Sequence, residues 1–225
     1  MGRCRRKRTF AGGGELALVA STLIAIMGAS PSASAAEIDP AIAAHFAQYS
    51  LPTPNAGVVI ICHGFGCAYR TEVALDPADH RKLAEILAKG RASPQAEREA
   101  VAQAVAWFDR RVGPVAGTTQ RVALADFRHM GEAYQFDCVD ASLNTTSALV
   151  VLQLLDLLKH HKVLAPVARG RGFDFRPLHA TAVLIENAAP EQWSVDLWTR
   201  GYGQPPEIMQ LSRWLQLDIW PWSNP

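Results

Sequence analysis

Val58 to Cys62 is an unbroken apolar run, mostly β-branched, and predicts a strand. His63-Gly64-Phe65-Gly66-Cys67 predicts the turn after it, with Tyr69 to Leu75 returning as the partner strand. Ahead of this pair, Ala41 to Gln48 reads as a short helix and Leu51-Pro52-Thr53-Pro54-Asn55 as a linker. Asp76-Pro77 combines an N-cap residue with proline at the first helical position, which predicts a helix from Pro77 to about Ala88. Ser93-Pro94 repeats the signal. In the segment that follows, Val101, Val105, Phe108 and Val112 form an apolar stripe at helical spacing, with Gly113 expected to end it. Gly113 to Gln120 carries no periodicity and reads as a loop.

Arg128 to Phe136 is polar and aromatic and leads into Asp137-Cys138-Val139-Asp140. A helix is expected from Cys138. Leu149 to Leu158 within it is apolar almost all round, the mark of a helix buried on most sides. Lys159-His160-His161 suits its C-terminus, where cations meet the negative end of the dipole. Arg169 to Pro177 reads as a loop, and Ala180 to Glu186 with Gln192 to Leu197 as an antiparallel hairpin. Gly201 to Pro206 predicts a turn, Glu207 to Leu215 a short closing helix, and Trp220 and Trp222 fall in the tail. The fold class expected from these elements is α+β.

The first 36 residues change the picture of charge and cysteine content. Arg3, Arg5, Arg6, Lys7 and Arg8 precede an apolar stretch from Leu16 to Met27, and Ala33-Ser34-Ala35 supplies a small-x-small cleavage pattern. This predicts a secretory signal peptide over residues 1–36 and a single domain over 37–225. The apolar stretch is short for a bilayer span, so no stable membrane insertion is expected after cleavage. The whole chain has 22 basic and 21 acidic residues, and the leader holds five and one of them. The remainder carries 17 against 20, turning a formal +1 into −3. No basic block survives, which removes the usual electrostatic basis for binding nucleic acid. About 190 residues remain, enough for one real core.

Of four cysteines, Cys4 leaves with the leader. An exported, oxidising compartment permits disulfides, and three thiols leave one over. Cys62 and Cys67 are close enough to pair, leaving Cys138 free. Alternatives for that pair are a metal site with His63, or two unpaired thiols; zinc generally wants four ligands.

Cys138 then acquires a chemical context. A thiol is mostly protonated near neutral pH, and its thiolate is the nucleophile. The N–H groups of a helix's first turn favour negative charge there. His179 opens one strand and Asp196 lies on the next, 17 residues on, a separation that adjacent antiparallel strands bring side by side. An imidazole can take the thiol proton, and a carboxylate on its other nitrogen fixes the tautomer. Asp137 suits an N-cap. Asp140 suits the helix dipole, although its charge would oppose a thiolate if it faced the sulfur.

Asp137-Cys138-Val139-Asp140 before a Leu-rich helix, then His179-Ala180-Thr181-Ala182-Val183, then Val195-Asp196, resembles the transglutaminase-like branch of the papain-like cysteine peptidases. The similarity covers about residues 134–198, and Cys62 to Cys67 has no counterpart in it. The resemblance implies a papain-like α+β core, with a buried helix packed on an antiparallel sheet and additional N-terminal helices. It implies Cys138 as nucleophile, His179 as general base and acid, and Asp196 as orienting carboxylate. Gln135, shortly upstream, is the candidate second oxyanion donor, beside the Cys138 N–H.

The function expected is an exported, periplasmic or secreted, cysteine-nucleophile hydrolase or acyltransferase. It would act through a thioester on amide bonds of a peptide or protein substrate, in the cell envelope by inference from compartment. No cofactor or metal is called for, and nothing in the sequence specifies an oligomeric state. Two other readings stand beside it: a peptidoglycan-cleaving cysteine peptidase, which also places Asp-Cys before a helix, and a non-catalytic periplasmic binding or scaffold protein with a degenerate core.

Overall fold

The structure, a computed structural model, describes residues 37–170 and 178–217. The leader, most of the Arg169–Pro177 segment and the Trp220 and Trp222 tail therefore lie outside the described residues. Helix α1 (Pro40–Gln48) is capped by Asp39. Strands β1 (Val58–His63) and β2 (Tyr69–Ala74) pair antiparallel as a two-stranded sheet. Helix α2 (Pro77–Leu87) begins with a capping box between Asp76 and Asp79, and α3 (Pro94–Ala116) with the Ser93 hydroxyl on Ala96 N–H. Both carry proline where an N–H would be unpaired anyway.

Helix α4 (Cys138–Leu154) follows. A four-stranded antiparallel sheet in sequential order completes the fold: β3 (His161–Arg169), β4 (His179–Glu186), β5 (Gln192–Asp196) and β6 (Glu207–Gln210). A short helix, α5 (Leu211–Trp214), closes it. One face of the sheet, with Ala182, Leu184 and Val195, joins α4 and the β1–β2 hairpin in the main core. The other face buries Val183 against Leu211 and Trp214 of α5. The architecture is thus α+β. Among the described residues, no helix is long and apolar enough to cross a membrane.

Several elements differ from the sequence expectation. Helix α3 runs through Gly113 and Pro114 to Ala116, and Gly117 in the left-handed region ends it. Gly113 is there for space: a Cβ would stand 2.4 Å from the Tyr202 ring. Pro114 has no N–H to give to the Arg110 carbonyl, and the Tyr202 hydroxyl donates to that carbonyl instead at 3.2 Å. The ring that needs the glycine therefore repairs the gap left by the proline.

Helix α4 stops at Leu154, short of Lys159-His160-His161. His161 is not helix-end decoration but the first residue of a strand, fully buried, with Nδ1 2.9 Å from Glu97 Oε1. Glu97 also receives the N–H groups of Lys159 and His160. Burial works against its charge, but these hydrogen bonds outweigh it and hold the carboxyl below its ordinary range. Arg169 belongs to β3, and residues 207–210 form β6 rather than opening a helix. Strand β3 contains Pro166 inside a register shift between Leu164 and Val167, on an edge of the sheet where no ladder N–H is missed.

Candidate active site

Asp137 places Cys138 at the first position of α4. Its carboxylate accepts the Asp140 N–H, and the Asp140 side chain returns to the Asp137 N–H. The same two carboxylates reach across to the turn between β1 and β2. Asp140 accepts the N–H groups of Phe65 (2.8 Å) and Cys67 (2.6 Å), and Asp137 accepts that of Gly66 (2.9 Å). Gly64, Phe65, Gly66 and Cys67 all have φ between 60° and 80°, so three successive N–H groups converge on the acids. Phe65 and Cys67 accept left-handed backbone that side chains disfavour, and the charge-assisted hydrogen bonds offset that cost.

Cys62 and Cys67 form a disulfide across this turn, which takes both thiols out of the metal-ligand alternative. Asn144 of α4 pins the other side, accepting Cys62 N–H and donating to Cys62 C=O. Asp140 consequently points at the turn rather than the sulfur. It is completely buried, and burial followed by the Asp137 charge raises its carboxyl to about 7 despite the N–H donors.

Cys138 is the free cysteine among the described residues. Its Sγ lies 3.7 Å from the Leu178 carbonyl and also meets the Ala180 backbone N–H, so it abuts the two residues that bracket His179. Burial, then the charges of Asp137 and Asp196, push the thiol up to about 12, with the Ala180 and Cys138 N–H groups pulling partly back. The resting group is a neutral thiol, and a base must take its proton as it reacts.

His179 and Asp196 stand on the sheet face covered by α5. Ala182 pairs with Val195 and Val183 with Ser194. Continued one step, that register sets Thr181 across from Asp196 and makes His179 its diagonal neighbour. The side chains meet with Nε2 2.6 Å from Oδ2, both residues about 98% buried. Asp196 is therefore not on the solvent side of its strand. It also receives the Trp214 indole N–H on Oδ2 (2.8 Å) and the Trp198 backbone N–H on Oδ1 (3.2 Å).

Trp198 and Trp214 flank the imidazole, with ring centroids 4.8 and 5.2 Å away. With Nε2 committed to Asp196, the neutral tautomer carries its proton there and leaves a lone pair on Nδ1. Nδ1 is buried without a hydrogen-bond partner among the described residues. Neither tryptophan was distinguishable from a core residue in the sequence. Only the pairing of β5 with β6, which delivers α5, shows what Trp214 touches.

Gln135 is buried rather than lying on the surface. Its side-chain oxygen accepts Val122 N–H at 3.0 Å, and its carbonyl accepts Gly64 N–H at 2.8 Å. It ties the approach to α4 onto two neighbouring loops and does not line the cavity beside Cys138. That cavity, about 270 Å³, lies between α1, α4 and the β3–β4 pair. Three larger hollows of about 410, 600 and 630 Å³ share no lining residue with it. The smaller one is the candidate substrate site because it contains the thiol. Comparison of the chain with protein-family models, with curated proteins and with solved structures returns no match.

Proposed function

We propose that the protein is an exported, periplasmic or secreted cysteine-nucleophile hydrolase or acyltransferase built on a papain-like, transglutaminase-like core. The carrying observation is the division of labour on His179. Asp196 holds Nε2, Nδ1 is left with a lone pair, and the Cys138 sulfur lies against the backbone on both sides of that residue.

In this reading His179 Nδ1 takes the Cys138 proton as sulfur attacks an amide carbonyl carbon. The imidazolium, held by Asp196, then protonates the departing amine. The Cys138 N–H in the first turn of α4 faces the negative charge that develops on oxygen. Water or an amine acceptor attacks the thioester, giving hydrolysis or transamidation, and returns the proton through the same ring. A thiol with a pKa of about 12 has roughly 10³-fold less thiolate near neutral pH than one at the ordinary 9.0. Nucleophilic behaviour there depends on the base.

The test is alkylation of the folded protein by iodoacetamide at pH 7, read by mass spectrometry at Cys138. The proposal expects a rate at least equal to that of a small-molecule thiol, falling by about 10²-fold or more in His179→Ala. Labelling that occurs only after unfolding, or is untouched by His179→Ala, overturns it in favour of the non-catalytic scaffold.

A further inference from the structure

The cavity beside Cys138 has the composition of a side-chain pocket, and its charge pattern restricts what can enter. Val139, Val167, Leu178 and Ala180 supply apolar wall, and Pro166 adds another apolar surface at the point where β3 shifts register. His45 on α1 and Tyr49, the residue that caps its C-terminus, close the far side with their rings 5.5 Å apart. Ser142 Oγ is occupied, donating to the Val139 carbonyl at 3.0 Å.

Among the described residues, no lysine, arginine, aspartate or glutamate lines it. Burial lowers the His45 pKa, so its ring is neutral under ordinary conditions. Asp137 and Asp140 bear on the pocket through space, raising the Tyr49 hydroxyl after burial has done so. Their oxygens are engaged with the N–H groups of residues 65–67. An acidic side chain placed here would be desolvated without a cation and repelled by those acids. A basic one would find no carboxylate among the described wall residues. Burying an unpaired charge is strongly unfavourable, whereas burying a branched or aromatic side chain is favourable.

We propose that this pocket is the specificity site of the reaction, binding an uncharged branched-aliphatic or aromatic side chain of a peptide residue adjacent to the bond attacked by Cys138. The inference rests on the cysteine-nucleophile reading above. The thiol itself forms part of the wall, so a side chain seated against Val139 and Ala180 belongs to a residue at the reacting carbonyl or its neighbour. Leu178, 63% exposed, stands at the rim, and Ala168 is exposed beside it on β3. Both positions tolerate substitution without disturbing the core.

A synthetic fluorescence-quenched peptide library, with cleavage sites mapped by mass spectrometry, tests this. Enrichment of Leu, Ile, Met or Phe at one fixed position within two residues of the cleaved bond is expected, with Asp, Glu, Lys and Arg excluded there. Ala168→Trp, which fills the pocket from its open side, should lower kcat/KM for the preferred peptide at least tenfold relative to its glycine counterpart. Leu178→Ala, which widens the rim, should move the preference toward larger aromatic residues. Iodoacetamide alkylation of Cys138, which uses no side-chain pocket, separates the two levels of inference. His179-dependent alkylation together with cleavage indifferent to side chain, cleavage favouring a charged residue, or no peptide cleavage overturns the pocket assignment alone. Alkylation only on unfolding, with no cleavage, overturns both.

Discussion

The indole N–H of Trp214 donates to Asp196 Oδ2 at 2.8 Å, the same oxygen that lies 2.6 Å from His179 Nε2. Because α5 follows β6 directly, the pairing of β6 with β5 fixes this contact. Trp214→Phe keeps most of the buried ring and deletes only the donor. A hydrogen bond to a charged group contributes about 1.5–3 kcal/mol, so kcat is expected to fall roughly ten- to a hundredfold, with KM little changed. Asp196→Asn should cost more, roughly 10²–10⁴-fold, because an amide can stabilise the wrong imidazole tautomer. Steady-state kinetics on one cleavable peptide checks both; a Trp214→Phe variant altered only in KM would contradict the assignment.

Asp140 makes a pH prediction whose sign is opposite to that of an ordinary paired carboxylate. Its carboxyl is raised in the folded state to about 7, from 3.8, by burial and then by Asp137. The protonated form is thus favoured by folding. Its contribution to stability is full below about pH 4 and is lost as pH rises through 7. Asp140→Asn removes that titration but leaves one oxygen for three backbone N–H groups and turns an NH2 toward a donor, a loss of about 1–3 kcal/mol. Urea midpoints for the two proteins between pH 5 and 8 give the result: the gap should narrow toward pH 8. A gap that stays constant across that range means the carboxylate is ionised throughout and contradicts the raised pKa.

The Cys62–Cys67 bridge closes a loop of six residues, which in the chain-entropy account stabilises by about 2 kcal/mol. Its effect on the site goes through the backbone, since Phe65, Gly66 and Cys67 hold the acids that cap α4. Replacing both cysteines with serine should lower the thermal midpoint and also weaken His179-dependent alkylation of Cys138. Loss of stability with undiminished alkylation would show that the cap persists without the bridge.

Gly113→Ala should destabilise although alanine is the better helix former by about 1 kcal/mol. Its Cβ would meet two Tyr202 ring atoms and the hydroxyl oxygen at 2.4 to 3.2 Å, and moving the ring breaks the hydroxyl bond to Arg110. A net loss of about 1–3 kcal/mol is expected. Tyr202→Phe, which deletes only the hydroxyl, should lose about 1 kcal/mol. Denaturant unfolding of the two variants and their combination tests this: non-additive losses are the expected result.

The elements legible in the sequence are those specified locally. The caps at Asp76, Ser93 and Asp137 mark helix starts without reference to the rest of the fold, and the β4–β5 hairpin puts His179 within reach of Asp196 through its own turn. What was not legible depends on partners distant in sequence. Gly113 reads as a terminator until Tyr202 arrives from 89 residues away. His161 reads as helix-end polarity until Glu97 receives it. Residues 162–168 carry no assigned element in the sequence reading, and Pro166 fits β3 because that is an edge strand with a register shift at that place. Glu207 to Gln210 has too few residues for a period to emerge, and β5 decides its conformation. The same holds for Gln135, whose side chain is claimed by the Val122 backbone.

The junction of α3 with the loop after β5 has a consequence for how the protein opens. Asp109 accepts from Arg121 and from the Gly203 N–H, Arg110 donates to the Gly203 carbonyl, and Arg121 reaches the Arg200 carbonyl. With the Tyr202 hydroxyl on Arg110, the end of a helix and a loop 90 residues away share one hydrogen-bond ladder. Amides of residues 113–118 and 198–203 should therefore exchange with solvent as a single cooperative unit rather than fraying separately. Trp198 sits in that unit, so every such opening also withdraws its N–H from Asp196, and the lifetime of the His179 environment is set by the far end of α3.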